Sequence, residues 1–369
     1  MMLNIVGKYK NEISIYFIFF SSLFGMAWLS YFYMLAHSLL HKPVKKESNI
    51  LYVLGVVLFC ICVAVKYVQM QNFSSWFALT RFFLGWGIVY IFIKKHPVAI
   101  NINKLIIVFS VEVILEFLLI NFVIPPTALL NYPNIDGVGN IGPFTRVYSV
   151  GSNSSISGVI MCMFLSYRAS LGKSGVEIKS IGVEILSTIS ILFFASGTAF
   201  YLFFIYLLYR FNLLRIRYVM FLCFALYLSY SILSNMYLND ESIFSHASWD
   251  YLSFIGEYKQ FQIETLLQEY KSQSLFWGYH YPNGEEPLTW GDFALLEYYI
   301  SFGYLGIILL LGITISNINK YNIIPVLIGI MGSFHYGGVF ATAGQMAFIY
   351  ALLLDKRAID FYKNIMVKL

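Results

Sequence analysis

Arginine, histidine and carboxylate side chains gather at a few points of an otherwise apolar sequence. Arg81 and Arg146 could hold a phosphate group, because a guanidinium forms charge-assisted hydrogen bonds with phosphate oxygens. His280, Asp292 and His335 could each accept a proton from an attacking hydroxyl group. We favour His335 as the base, since it lies at the end of an apolar run and so on a rigid element. A histidine packed among helix ends is an equal alternative for it.

A second group of side chains combines flat aromatic faces with hydrogen-bonding groups, a mixture that suits a sugar. It comprises the aromatic residues Trp277, Tyr279, Tyr281 and Trp290 with His280, Glu285, Glu286 and Asp292. We predict that Tyr281 and Trp290 of this group, together with the nearby Glu297, bind substrate. Tryptophan and tyrosine also favour membrane interfaces, so an interfacial belt is an alternative role for the aromatic members.

The composition of the chain is that of a membrane protein. Of 369 residues, 59% are apolar and 12% are charged, whereas a soluble protein carries about a quarter charged residues. Long apolar runs recur along the sequence, so it predicts an all-α, polytopic integral membrane helical bundle that forms one domain over residues 1–369. A soluble enzyme, a disulfide-rich secreted protein and a nucleic-acid-binding protein are excluded, and the lipid bilayer is a predicted partner.

The apolar runs predict about 11 transmembrane helices, within a range of about 10 to 12, when they are compared with a hydrocarbon core of about 30 Å. The long run 182–209 is divided at the turn-capable residues 195–198, which keeps the arginine-rich segment 210–217 with the other basic connections. The predicted spans are 13–36, 50–69, 76–93, 104–124, 151–167, the two halves of 182–209, 218–238, 293–315, 323–336 and 341–354.

The distribution of lysine and arginine predicts which side each connection faces. Most of the 24 Lys and Arg residues fall in six connections that share the side of the C-terminus, as cytoplasmic connections do. Lys8 and Lys10 conflict with this assignment, and a missed or additional span near the N-terminus would remove the conflict. Two long loops, 125–150 and 239–291, then face outward, and an amphipathic helix is predicted near 254–271 over the bundle mouth.

Ionisable residues inside the predicted spans favour an enzyme over a transporter. A transporter is expected to hold such residues near the bilayer midplane, in broken helices that recur as internal repeats. Here most of them fall toward the outer side, and no internal repeat is evident. For single residues a structural role is the alternative: Arg81 could form an ion pair with Glu116, and Lys66 could extend its amine toward the membrane surface.

Several of these segments resemble the O-antigen polymerase (Wzy-type) family, within the O-antigen polymerase/ligase superfamily. The resemblance rests on Phe144-Thr-Arg146-Val-Tyr-Ser before the serine-rich run 153–158, on Trp290-Gly-Asp292, and on Gly332-Ser-Phe-His335. It covers roughly residues 105–355.

The resemblance implies a metal-independent glycosyltransferase without a cofactor, in the bacterial inner (cytoplasmic) membrane as a multi-pass protein. Such an enzyme would join undecaprenyl-diphosphate-linked oligosaccharide repeat units at the periplasmic face, as a polymerase of O-antigen or capsule. His335, His280 and Asp292 would be its catalytic candidates, and Arg146, Arg81, Tyr281, Trp290 and Glu297 its substrate-binding candidates. A chain-length regulator is left open as a partner. An O-antigen ligase and a lipid-linked oligosaccharide flippase are the alternatives.

Overall fold

A computed structural model of the protein describes residues 13–40, 50–70, 72–95, 100–125, 140–141, 144–176, 180–213, 257, 260–261, 264, 276–278, 294–334 and 336–366. Within these residues the chain is helical, apart from turns and one two-residue antiparallel ladder. The ladder joins β1 (Asn140–Ile141) to β2 (Phe144–Thr145). The helices are α1 (residues 13–20), α2 (Ala27–Leu40), α3 (Ile50–Met70), α4 (Phe73–Lys95), α5 (Ile102–Phe122), α6 (Ser154–Lys173), α7 (Ile181–Phe194), α8 (Gly197–Arg210), α9 (Ala294–Asn317), α10 (Ile323–Ser333), α11 (Thr342–Leu352) and α12 (Lys356–Met366).

Four of the described helices, α4, α5, α6 and α9, are long and apolar enough to cross a membrane. Residues 13–24 and 54–70, together with α7 and α10, form shorter apolar helices. The protein is therefore an all-helical membrane protein by length and composition. The count of about 11 spans stays a prediction, and the predicted span 218–238 lies outside the described residues.

The chain breaks between α7 and α8 at the predicted point. Ala195 adopts a left-handed conformation, with φ 42°, and the Ser196 side chain accepts a hydrogen bond from the backbone of Ala199. The carboxylate of Glu184, near the start of α7, lies within 2.6 Å of the Tyr206 hydroxyl, near the end of α8. The two helices therefore form an antiparallel hairpin, as the sequence predicts.

The prediction of a single span over residues 13–36 is wrong. A short 3₁₀ turn at Ser21–Phe24 and Gly25, with φ 66°, reverse the chain between α1 and α2. The Tyr33 hydroxyl donates to the Ser14 hydroxyl across 2.8 Å, so α2 packs back along α1. The reversal adds a helix near the N-terminus, while Lys8 and Lys10 lie outside the described residues.

The described lysines and arginines collect at one end of the bundle, here named the basic end. Hydrogen bonds tie its parts together, including those from Arg168 to Asn103 and from Asn322 to the carbonyl of Leu352. Among the described residues, every Lys and Arg except Lys66, Arg81 and Arg146 lies there, namely Lys94, Lys95, Lys104, Arg168, Lys173, Arg210, Lys320, Lys356, Arg357 and Lys363. The Lys104 amine lies 5.7 Å from the centre of the Tyr16 ring on α1, so α1 also begins at this end. This asymmetry agrees with the predicted sidedness.

Helix α6 is the centre of the bundle, and most of its side chains are buried. Small residues let its neighbours approach closely: a Cβ atom at Gly158 would lie only 2.3 Å from the Cβ of Ala199 on α8. On the α10 side, a Cβ atom at Gly332 would lie 2.5 Å from a methyl group of Val159. Close backbone approach of this kind is how membrane helices gain packing energy without a hydrophobic driving force. The segment that carries Arg146 leads directly into this central helix.

Candidate functional site

Arg146 lies on a non-helical segment that runs into the bundle between β2 and α6. Val147, Tyr148 and Val150 are buried, while the Arg146 side chain is partly exposed. A 3₁₀ turn at Ser149–Gly151 leads to α6, and its first residue has a left-handed backbone, with φ 51°. Non-helical backbone inside an apolar bundle requires partners for each of its polar groups.

Helix α5 supplies many of these partners. The side chain of Asn121 accepts from the backbone nitrogen of Thr145 at 2.7 Å and donates to the Thr145 carbonyl at 3.0 Å. One carboxylate oxygen of Glu116 accepts from the backbone nitrogens of Tyr148 and Ser149, both at 3.0 Å. The Ser149 hydroxyl donates to Glu112, one helical turn away. These three α5 residues hold the segment on both sides of Arg146.

Residues from other parts of the chain also form hydrogen bonds with the segment that carries Arg146. The Ser157 hydroxyl accepts from the backbone nitrogen of Gly151 at 2.9 Å. The Ser22 hydroxyl donates to the Val150 carbonyl at 2.7 Å, and the backbone nitrogen of Val147 donates to the Phe193 carbonyl at 3.1 Å. The Arg146 guanidinium lies 5.9 Å from the centre of the Tyr148 ring. The guanidinium of Arg146 is thus attached to a backbone that is fixed from several directions.

Arg81 lies on α4 and does not form the ion pair with Glu116 that the sequence left open. Glu116 bonds the backbone of the Arg146 segment instead, and within the described residues Arg81 has no carboxylate partner. Arg81 is one of the residues that line an apolar cavity of about 330 Å³ between α2, α3 and α4. A partly buried charge in such surroundings is costly unless a counter-charge meets it.

The cavity beside Arg81 extends along α4. Its lining on α4 extends from Phe73 to Ile88, which is about 22 Å along the helix axis at about 1.5 Å per residue. Thr80 also lines the cavity, and in the described part of the chain its buried hydroxyl has no hydrogen-bond partner. The remaining wall is aromatic and aliphatic. The cavity could therefore hold a hydrocarbon chain with a polar group beside Arg81.

A buried glutamine that the sequence analysis missed fixes the position of Arg81. The side-chain nitrogen of Gln345 donates to the backbone carbonyls of Arg81, at 3.1 Å, and of Phe82, at 2.8 Å. Its side-chain oxygen accepts from the Tyr31 hydroxyl at 2.7 Å. Gly85 leaves the necessary space, because a Cβ atom there would lie 2.6 Å from that oxygen. The sequence signal that could have identified Gln345 is its polar side chain in an otherwise apolar helix.

Lys66 contradicts the expectation that its amine extends to the membrane surface. The residue is 1% exposed, and its amine lies 5.6 Å from the centre of the Phe302 ring on α9. The sequence placed Lys66 near a helix end, where an extended side chain would reach water. Packing of α3 against α9 buries it instead.

Glu297 is buried in the first turn of α9, with 6% exposed. Six residues further on, Gly303 interrupts the helix with a φ of 61°. The interruption frees the backbone nitrogen of Leu305, which donates to the Phe276 carbonyl at 3.2 Å. The end of the long 239–291 loop is thereby tied to the break in α9, and Trp277 of the predicted sugar-binding group is partly exposed there.

Five predicted site residues lie outside the described residues: His280, Tyr281, Trp290, Asp292 and His335. Of the predicted amphipathic helix near 254–271, the described residues 257, 260, 261 and 264 are helical. In the described ranges, no group of three or more His, Cys, Asp or Glu residues could hold a metal ion. The structure therefore joins the segment that carries Arg146 to Glu112 and Glu116, and the backbone of Arg81 to Gln345. The choice of base stays a prediction.

A second polar cluster at the basic end has a structural role. The guanidinium of Arg168, buried on α6, bonds the carboxylate of Glu184, the side chain of Asn103 and the carbonyl of Ser180. The Tyr206 hydroxyl bonds the other oxygen of Glu184 at 2.6 Å. This cluster connects α5, α6, α7 and α8. It gives a structural role to Glu184, an ionisable residue that is not part of the predicted outer site.

Comparisons with family models, with curated proteins and with solved structures found no match for the chain. The functional proposal therefore rests on the residues themselves.

Proposed function

We propose that the protein is a polysaccharide polymerase that joins undecaprenyl-diphosphate-linked oligosaccharide repeat units at the periplasmic face of a bacterial inner membrane. The observation that carries the proposal is the position of Arg81, a cation without a carboxylate partner among the described residues, beside an apolar cavity that extends along α4. A substrate that joins a hydrocarbon chain to a phosphate group has the chemistry that such a cavity fits.

Arg146 supports the same proposal from the loop side of the bundle. A guanidinium on a fixed backbone can stabilise charge that develops on a leaving group, because its position costs no rearrangement at the moment of reaction. In the proposed reaction, a sugar hydroxyl of one repeat unit attacks the anomeric carbon of a glycan linked to diphosphate. The new glycosidic bond forms as the bond from that carbon to the diphosphate oxygen breaks.

In the proposed reaction, the two arginines bind phosphate groups and one candidate base accepts the proton. Arg146 holds the departing diphosphate, and Arg81 holds the phosphate of a lipid whose chain lies in the cavity. The hydroxyl proton passes to one of His335, His280 or Asp292. Glu297, with Tyr281 and Trp290, contributes to holding the sugars in this proposal.

Glycan length in cells tests the proposal. Deletion of the gene is expected to leave a single repeat unit on the lipid core, and complementation with the parent to restore the full ladder on gels. Arg146→Ala is expected to behave like the deletion at equal membrane expression. Loss of all surface glycan with accumulation of lipid-linked polymer would identify a ligase instead. Undecorated core with single lipid-linked units retained inside would identify a flippase.

A further inference from the structure

Two carboxyl side chains of α5, Glu112 and Glu116, face the segment that carries Arg146. We propose that Glu116, supported by Glu112, is a positioning residue that holds the Arg146 guanidinium in place for an anionic group. That this group is a lipid-linked diphosphate rests on the proposed function. The positioning role of Glu116 is inferred from the hydrogen bonds that it forms with the segment that carries Arg146.

A single oxygen atom of Glu116 accepts two of the hydrogen bonds that hold the segment. It accepts hydrogen bonds from two successive backbone nitrogens, those of Tyr148 and Ser149, each at 3.0 Å. Glu116 is only 8% exposed, so these charge-assisted bonds are protected from water. Arg146 lies two residues before Tyr148, and its backbone cannot shift far without breaking the bonds to Glu116.

Glu112 supports Glu116 from one helical turn away. Its carboxylate accepts from the Ser149 hydroxyl, so both carboxylates bond the same residue of the segment. Glutamine at position 112 keeps a side-chain oxygen that can accept from Ser149.

Glu116 lies deep along α5, and the backbone nitrogens beside it therefore need acceptors from the protein. Glu116 is 14 residues beyond the start of α5 and so about 21 Å along a helix axis of about 32 Å, at about 1.5 Å per residue. Backbone groups at this depth find no water, and an alanine at position 116 leaves two buried nitrogens without acceptors. The segment is then expected to move toward the loop end of the bundle, where water can satisfy them.

Cysteine labelling measures this movement without reference to any activity. Val147→Cys places a thiol at a fully buried position of the segment, and labelling by a membrane-impermeant maleimide is measured on intact cells, with the parent chain subtracted for its own cysteines. We expect Cys labelling to remain slow with Glu116→Gln, which keeps the acceptor oxygen, and with Glu112→Gln. With Glu116→Ala it should rise about tenfold. Leu115→Ala, on the exposed neighbour, is the matched control and should leave it slow.

The labelling rates decide the proposal. Equal, slow labelling of Glu116→Ala and Leu115→Ala would overturn it, and so would rapid labelling of Glu116→Gln, because an acceptor oxygen would then not be what holds the segment.

Glycan length, measured on the same variants without Val147→Cys, separates this inference from the proposed function. Glu116→Ala is expected to shorten the glycan and Glu116→Gln to restore it, in parallel with the labelling. If labelling follows the expectation while glycan length is unchanged in Glu116→Ala and in Arg146→Ala, the positioning stands and the proposed function fails. If Arg146→Ala abolishes polymer while Glu116→Ala leaves both polymer and labelling unchanged, the proposed function stands and the positioning fails.

Discussion

Gln345 on α11 donates a hydrogen bond from its side chain to the backbone carbonyl of Arg81 on α4, at 3.1 Å. The same nitrogen reaches the carbonyls of Phe82 and Phe340, and the side-chain oxygen binds the Tyr31 hydroxyl. One fully buried side chain therefore joins three helices around the cationic residue of the cavity. The position of Arg81 depends on a residue far away in the sequence.

Replacement of Gln345 should destabilise this part of the bundle. Gln345→Leu keeps the side-chain size but removes the donor to three backbone carbonyls and one of the two acceptors of the Tyr31 hydroxyl, so we expect the free energy of unfolding to fall by about 3 kcal/mol. Thermal unfolding of the purified protein in detergent measures the loss. Thr188→Val, at an exposed position of α7, is the control and should unfold like the parent. Equal unfolding temperatures for the two variants would show that the Gln345 contacts contribute little.

Close packing of α6 on α8 should make Gly158 sensitive to a single added carbon. Gly158→Ala places a Cβ atom 2.3 Å from that of Ala199, and the helices must separate. We expect a loss of about 1 to 3 kcal/mol of stability, as is usual for overpacking. Gly312→Ala on α9 is the matched control, since nothing lies within 4 Å of its Cβ position. A Gly158→Ala protein as stable as Gly312→Ala would contradict the observed helix spacing.

The Arg168 and Glu184 pair should matter far more than the second arginine near Glu184. The Arg168 side chain is 3% exposed, whereas that of Arg210 is 46% exposed and lies 3.5 Å from the same carboxylate. Glu184→Ala strands the buried guanidinium and is expected to cost about 3 kcal/mol or more. Arg210→Ala removes an exposed pair and should cost about 1 kcal/mol or less. Chemical denaturation of both variants provides the comparison, and similar losses would show that burial does not set the strength of the pair.

The reversal between α1 and α2 predicts a labelling pattern for three exposed positions. Ile13→Cys and Leu40→Cys should react from one side of the membrane and Met26→Cys from the other, since the turn at Gly25 separates them. A membrane-impermeant maleimide applied to intact cells and to inverted vesicles measures the sides. Labelling of Ile13→Cys and Leu40→Cys from opposite sides would restore the single span 13–36 and contradict the hairpin.

Local signals in the sequence were sufficient for much of the helix layout. Hydropathy located the apolar helices, and Ser196-Gly197 marked the break between α7 and α8 because serine and glycine favour turns. The same signal was overlooked between α1 and α2, where Ser21, Ser22 and Gly25 form the turn inside an otherwise apolar run. The unfavourable position of Lys8 and Lys10 was a second signal of an additional element there.

The contacts that position Arg81 and Arg146 could not be predicted from local sequence patterns, because they join residues that are far apart in the sequence. Glu116 and Tyr148 are 32 residues apart, and Gln345 and Arg81 are 264 apart. Hydropathy and residue spacing indicated that an ionisable residue in a span has a partner, but not which partner it has. Arg81 and Glu116, the one pair suggested on these grounds, are not paired: Glu116 accepts from the backbone of Tyr148 and Ser149, and Arg81 lies beside the cavity.

Polymerisation by the purified protein tests the proposed function most directly. The protein, reconstituted in liposomes, is given undecaprenyl-diphosphate-linked repeat units extracted from the deletion strain, and the products are separated by length. The account predicts a ladder of polymers with the parent and with Leu115→Ala, and single units alone with Arg146→Ala. Unchanged single units with the parent protein, folded and supplied with substrate, would contradict the proposal that it is a polymerase.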